Sequence, residues 1–153
     1  MPLIHLIMLC PYCNNGETRV TDKRDNKGSI RRRRECLKCR SRFTTYERPE
    51  LDLNVIKKDN TRQKFDRQKL KSGIEKAFEK RQISSDKIEK VIDDIESRIY
   101  RKAKGKDIKS STIGKITANK LKKVDKVAYI RFASVYREFA DISDFKKEIK
   151  ELK

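Results

Sequence analysis

Four cysteines stand in two pairs, Cys10-Pro11-Tyr12-Cys13 and Cys36-Leu37-Lys38-Cys39. Each pair presents two thiolates from one tight knuckle, and two knuckles complete the tetrahedral four-sulfur shell that Zn²⁺ prefers, with Zn–S distances of about 2.3 Å. Residues 14–35 separate the pairs, a spacer a little longer than the commonest range that suits a ribbon with a hairpin between its knuckles. A disulfide pair and a redox Cys-x-x-Cys are the alternatives. Nothing in the chain indicates an oxidising compartment, and a redox motif needs no second copy. With Cys10, Cys13, Cys36 and Cys39 filling all four positions, the zinc would be structural, with no open site for catalysis.

Ser29-Ile30-Arg31-Arg32-Arg33-Arg34-Glu35 leads into the second pair. On an extended strand alternate side chains point to opposite faces, so Arg31 and Arg33 share one face and Arg32 and Arg34 the other. A guanidinium forks onto guanine O6 and N7 or clamps a phosphate bidentately, so a stapled ribbon carrying such forks points to nucleic acid. A solvated charge run is the plainer alternative. Arg19, Lys23, Arg24, Lys27, Arg40 and Arg42 widen the patch, while Asp22, Asp25 and Glu35, interleaved with them, argue against a disordered basic tail.

The whole chain of 153 residues is consistent with that partner. Lysine and arginine number 41 against 23 acidic residues, a formal charge of +18, and such a chain seeks polyanions. Its length is room for one ordinary domain or two small ones. Apolar residues make up 35% and charged residues 42%, a balance that raises disorder until the periodic spacing of the apolar positions is seen. No apolar run approaches the ~18 residues of a membrane helix, and Met1 to Leu9 lack the marks of a secretory signal. The single histidine, His5, excludes histidine-based triads unless it takes part itself. No Gly-x-x-x-x-Gly-Lys phosphate loop is present, so a bound nucleotide would be a ligand rather than fuel, and no enzyme is expected.

These groups need elements to hold them. The chemistry changes near Arg48 and Pro49, which divides the chain into an extension (1–9), a zinc ribbon (10–48), a periodic domain (49–140) and a C-terminal helix (141–153). A ribbon this small could hardly fold without its metal staple. Leu51, Leu53 and Val55 alternate with polar residues, Lys58-Asp59-Asn60 supplies a turn, and Thr61 to Phe65 return as a second strand. Asp66 caps a helix with Leu70, Ile74, Ala77 and Phe78 on one side, and Ser84 or Ser85 starts another with Ile88, Val91, Ile92, Ile95 and Ile99. Gly105 breaks the chain. Ser110 to Thr112 cap a third helix with Ile113, Ile116, Leu121 and Val124 inward. Asp125 starts a fourth, apolar almost all round and therefore expected to be the most buried, and Ser143 to Leu152 form a last one on Phe145, Ile149 and Leu152. The fold class is α+β: a small β zinc ribbon, then a β-hairpin packed on a bundle of four to five helices.

Taken together, the two cysteine pairs, the arginine run, Arg42-Phe43-Thr44-Thr45-Tyr46-Glu47-Arg48, Val55-Ile56-Lys57-Lys58, Phe65-Asp66-Arg67-Gln68-Lys69-Leu70 and the stretch from Val127 to Arg137 resemble the NrdR family of transcriptional repressors of ribonucleotide reductase genes. The resemblance covers Met8 to the C-terminus. It implies a zinc ribbon joined to an ATP-cone that senses ATP and dATP, changes oligomeric state and so controls binding to operator DNA upstream of those genes, in the prokaryotic cytoplasm at the nucleoid. It also implies phosphate contacts from Lys57 and Lys69, with Lys58 as a third, base contact from Val55, and nucleoside contacts from Tyr129 and Tyr136. For DNA it implies Arg31, Arg32, Arg33, Arg34 and Arg42, with Asp22 and Arg24 standing where the family has Asp-Ser-Arg. The family's usual start corresponds to Met8, which makes Met1 to Ile7 an alternative start. Two departures stand out. Arg40 follows the last cysteine where many knuckles carry glycine, and its strain at positive φ would reshape the second knuckle, whereas Asn60, replacing a turn glycine, tolerates the left-handed region. A zinc-ribbon RNA-binding module and a reductase regulatory subunit are the competing functions.

Overall fold

The computed structural model describes residues 8–26 and 28–152, so the expectations for Met1 to Ile7, His5 among them, and for Lys27 lie outside the described residues. The chain forms two units, Met1–Glu50 and Leu51–Lys153.

In the first unit a single antiparallel sheet runs in the order β1-β2-β3, with β1 Thr18–Asn26, β2 Ser29–Cys36 and β3 Arg42–Glu47. Gly28, at φ 100°, helps turn β1 into β2, a conformation open to glycine at no steric cost. The register slips once, between Val20 and Asp22, and this bulge sets the sides of the sheet: it brings Asp22 opposite Arg33 and Arg24 opposite Arg31. Among the described residues of this unit only Cys10, Ser29, Glu35 and Cys36 are buried, too little apolar surface to hold the sheet by itself.

The second unit has a sheet ordered β5-β4-β6, from β4 Asn54–Ile56, β5 Arg62–Lys64 and β6 Asp107–Lys109. The β4–β5 pair is the expected hairpin, closed by Asn60 at φ 64° and by Asp59, whose carboxylate accepts from the Thr61 amide at 3.0 Å. The third strand, β6, pairs parallel to β4 and was not expected, because Ile108 is one apolar residue among charged neighbours and leaves no period to read.

Among the described residues five helices complete this unit, α1 Arg67–Ala77, α2 Ser85–Ala103, α3 Ser110–Val124, α4 Lys126–Tyr136 and α5 Ile142–Lys150, with α2 and α3 packed against β6. Asp66, Ser84, Asp125 and Asp141 cap α1, α2, α4 and α5, each accepting from amides of the first turn, whereas α3 has no side-chain cap. The core joins Leu53, Val55 and Ile108 of the sheet region to Ile74, Ile92, Ile95, Ile99, Leu121 and Tyr129. Each such apolar side chain removed from water contributes roughly 1.5–3 kcal/mol.

Three packing expectations need correction. The most buried helix is α2, with seven buried positions including Asp93 and Glu96, whereas α4 buries Ala128, Tyr129 and Ala133 and leaves Val135 82% exposed. On α3 Leu121 is buried as expected, but the other buried positions are the small residues Gly114, Thr117 and Ala118, because small side chains allow close approach. On α5 the buried position is Glu148, while Ile149 is exposed, since Glu148 answers polar groups of α4. No helix among the described residues is long and apolar enough to cross a membrane.

Candidate functional site

The two knuckles of the first unit are built alike. The Cys10 amide donates to the Asn15 carbonyl and the Asn14 amide to the Cys10 carbonyl; the Cys36 amide donates to Ser41 and the Arg40 amide to Cys36 in the same pattern. Asn14 and Arg40 occupy equivalent left-handed positions, at φ 58° and 61°. Arg40 therefore does not reshape the second knuckle: the paired backbone hydrogen bonds hold it in the conformation that its type disfavours.

The four Sγ atoms lie within 4.8 Å of one another. Cys10 and Cys39 are 3.7 Å apart and Cys13 and Cys36 3.5 Å, far beyond a disulfide's roughly 2.05 Å. A tetrahedral Zn²⁺ with bonds of about 2.3 Å needs sulfurs about 3.8 Å apart, so the donor set fits a closed structural zinc site. Hydrogen bonds from the Ser41 side chain and backbone lower the Cys39 thiol to about 6. At Cys13 the Asn15 backbone bond pulls down, yet burial and the neighbouring thiols together raise it to about 11. One metal charge would replace this unequal sharing of protons.

The arginines divide between the two faces of the ribbon. Arg31 pairs across to Tyr46 and Arg24, Arg33 to Thr44 and Asp22, and Glu35 to Arg42 and Arg19, which gathers Arg19, Arg24, Arg31, Arg33 and Arg42 on one face. Arg32 and Arg34 lie on the other, where Arg32 pairs with Glu47 and Arg34 donates to the Thr45 hydroxyl. On the first face buried Glu35 accepts from Arg42 at 3.1 Å and from Arg19 at 3.0 Å, which hold its carboxyl below the usual range. Arg24 pairs with Asp22 at 3.1 Å. Arg33 is the exposed arginine of β2 and has no ion-pair partner among the described residues, whereas Arg19, Arg24 and Arg42, also exposed, are held by carboxylates.

In the second unit a cavity of about 740 Å³ opens between Gly73 and Ala77 of α1 and Phe132, Val135 and Tyr136 of α4, with Lys76, Lys80 and Arg131 adding positive charge. Phe132 and Tyr136 stack at 5.7 Å. Lys69, exposed, stands one turn before Gly73 on the same side of α1. The first turn of α1 is fixed by Arg67, which reaches Glu89, Asp93 and Glu96 of α2 at 2.9–3.1 Å. Burial pushes the Glu89 carboxyl up, but Lys71 and Arg67 outweigh it and hold it low.

The parallel β4–β6 register sets Ile56 beside Lys109, so that Lys57 leaves β4 next to the start of α3. The amides there have no side-chain cap, and a helix N-terminus of this kind favours negative charge. Tyr136 joins the cavity to this helix end, its hydroxyl donating to the Ser111 carbonyl at 2.6 Å. Lys57 and Lys58 are exposed, Val55 is buried in β4, and Lys58 pairs with Glu138 at 2.9 Å. Tyr129 does not line the cavity. It is buried against α5, its hydroxyl donates to Glu148, and burial pushes its pKa up to about 12.

Sequence reasoning missed Gly73, Phe132 and Arg131, which belong to a cavity that exists only once α1 and α4 are side by side. It placed the start of α3 correctly at Ser110 to Thr112 but not their role: the cap position is Lys109, and no side chain caps the helix.

Two family models match the chain: the N-terminal domain of NrdR-like transcriptional repressors over residues 8–47 and the ATP cone domain over residues 53–142. Among curated proteins, a transcriptional repressor NrdR of Acetivibrio thermocellus is 53% identical over 148 residues, covering 95% of this chain and 97% of the relative. Those of Petrotoga mobilis and Limosilactobacillus fermentum are 52% and 49% identical, with 95% of this chain covered in each and 99% and 97% of the relatives.

Proposed function

Because the chain belongs to the NrdR family of transcriptional repressors, we propose that it represses ribonucleotide reductase genes, with ATP and dATP at its ATP cone controlling oligomeric state and binding of operator DNA. The observation that carries this reading is the convergence of Lys57, the uncapped start of α3 and the end of an aromatic-walled cavity in one cone. A triphosphate is met by Lys57, Lys58, Lys69 and the amides of α3, as compact ammonium charges and a helix N-terminus favour. The nucleoside enters between Gly73 and the Phe132–Tyr136 stack. Val55 and Tyr129 act from within the core, fixing β4 and α4.

On the ribbon, Arg24, Arg31, Arg33 and Arg42 form the DNA face, and Arg32 and Arg34 serve a flanking phosphate or the sheet itself. Cys10, Cys13, Cys36 and Cys39 hold one Zn²⁺, which supplies cross-linking and no chemistry. Protomers assembled under nucleotide control present paired ribbons to half-sites on one face of the duplex. Residues 10–48 are the DNA-binding domain, 49–140 the nucleotide-binding domain and 141–153 the C-terminal helix, of a protein working at the prokaryotic nucleoid.

The test is binding of the zinc-loaded protein to a promoter fragment of its own genome's reductase genes, at fixed salt, with no nucleotide, ATP or dATP. Salt-resistant binding confined to the promoter and dependent on nucleotide is expected. By thermodynamic reciprocity, operator must then tighten the favoured nucleotide by the same factor. Equal binding to all duplexes, indifferent to nucleotide, would overturn the reading, since a chain of charge +18 binds any duplex at low salt.

A further inference from the structure

Among the lysines assigned to phosphate, Lys58 already has an anionic partner. Its ammonium lies 2.9 Å from the Glu138 carboxylate, with both side chains about three-quarters exposed (76% and 74%). Lys57 and Lys69 form no such pair among the described residues. Glu138 comes just after the end of α4 and sits at φ 48°, in the left-handed region that side chains other than those of glycine and asparagine seldom enter. Its neighbours on both sides are tied to α5. Arg137 pairs with buried Glu148, and Phe139 meets the Phe145 ring edge-on at 5.3 Å.

Resting on the nucleotide reading above, we propose that Glu138 stands in for phosphate in the nucleotide-free chain, and that its displacement from Lys58 by a triphosphate loosens the seat of α5. A carboxylate and a phosphate oxygen compete for the same ammonium, and a triphosphate brings more negative charge within reach of Lys57, Lys58 and Lys69 than one carboxylate does. Once Lys58 is taken, Glu138 is left facing a polyanion and is repelled. The left-handed backbone then loses the ion pair at its tip, and residues 137–139 relax. Because the same three residues carry two links to α5 beside the core hydrogen bond from Tyr129 to Glu148, the event at the β4–β5 turn reaches α5 by a route outside the core. The ligand class follows: the contact discriminates by phosphate charge, not by base.

The experiment compares wild type, Glu138→Gln, Lys58→Gln and the double variant as full-length, zinc-loaded protein. Calorimetry with ATP and with adenosine reads affinity, and amide hydrogen exchange over residues 142–150 reads α5. An exposed pair of this kind predicts that Glu138→Gln binds ATP about two- to fivefold tighter at low salt, leaves adenosine unchanged and loses the gain as salt rises. Lys58→Gln weakens ATP, and adding Glu138→Gln to it changes nothing further. In wild type ATP speeds exchange in α5; in Glu138→Gln α5 exchanges fast already and ATP adds little. Equal ATP affinity in wild type and Glu138→Gln, an equal gain for adenosine, or α5 exchange indifferent to ATP would each overturn the proposal while leaving the nucleotide site standing. A wild-type chain that binds no ATP removes the site, and the proposal with it.

Discussion

The ring of Tyr136 occupies the space that a side chain at position 114 would need: a Cβ built on Gly114 overlaps its Cε2, Cζ and Cδ2 atoms. Glycine inside a helix costs up to about 1 kcal/mol relative to alanine, and here that cost admits the aromatic residue whose hydroxyl reaches Ser111 at the start of α3. Gly73, on the opposite wall of the cavity, has nothing within 4 Å of an added Cβ.

The two glycines should therefore respond with opposite signs. Gly73→Ala is expected to raise the stability of the zinc-loaded protein by about 0.5–1 kcal/mol through helix propensity, while Gly114→Ala lowers it by about 1–3 kcal/mol through overpacking. Urea denaturation followed by circular dichroism measures both. Gly114→Ala should also weaken ATP, because Tyr136 can no longer join the cavity to α3.

Removing zinc should unfold one unit only. Cys36→Ser, or a strong chelator, is expected to abolish DNA binding and the β signal of residues 10–48 while calorimetric ATP binding persists, because the cone has its own core. Loss of ATP binding along with the ribbon would contradict this division.

Alkaline stability should depend on Tyr129. Burial, helped by Glu148, raises its pKa to about 12 from an ordinary 10. The folded chain thus keeps a proton that the unfolded chain releases, and its contribution, on the order of 2 kcal/mol, is full below pH 10 and lost as pH rises towards 12. Tyr129→Phe should lower stability at neutral pH by about 1 kcal/mol and flatten the pH dependence across that window. Thermal melts from pH 8 to 12 show whether the slope disappears.

Arg33 and Arg34 should differ although they are neighbours. Arg33→Gln is expected either to reduce the salt slope of operator binding by about one, if Arg33 meets a phosphate, or to relax preference at one base pair, at about 1–3 kcal/mol, if it reads a base. Arg34→Gln, whose guanidinium is engaged with Thr45 on the other face, should do less. Titrations at several salt concentrations on matched and scrambled duplexes separate these outcomes, and a larger effect at Arg34 would reverse the assignment of faces.

What was legible in the amino-acid order is what depends on short separations along the chain. The cysteine pairs declare a four-thiol site because each knuckle is local, and Asp66, Ser84 and Asp125 declare helix starts because a cap acts within one turn. Asn60 declares its turn for the same reason. The alternation of Arg31 to Arg34 was equally readable, but which flanking residues share each face was not, since the bulge at Val20 and Asp22 arises from pairing with another strand. Packing decided the rest. Strand β6 exists because β4 offers it an edge, α2 rather than α4 is the buried helix because it packs against α1, α3 and β6 together, and Arg40 takes a glycine's conformation because its knuckle's hydrogen bonds hold it there. The cavity between Gly73 and Tyr136 and the pairing of Lys58 with Glu138 join residues far apart in the chain. Periodicity reports which side of an element is apolar; only the tertiary structure decides what that side, or a charge beside it, will meet.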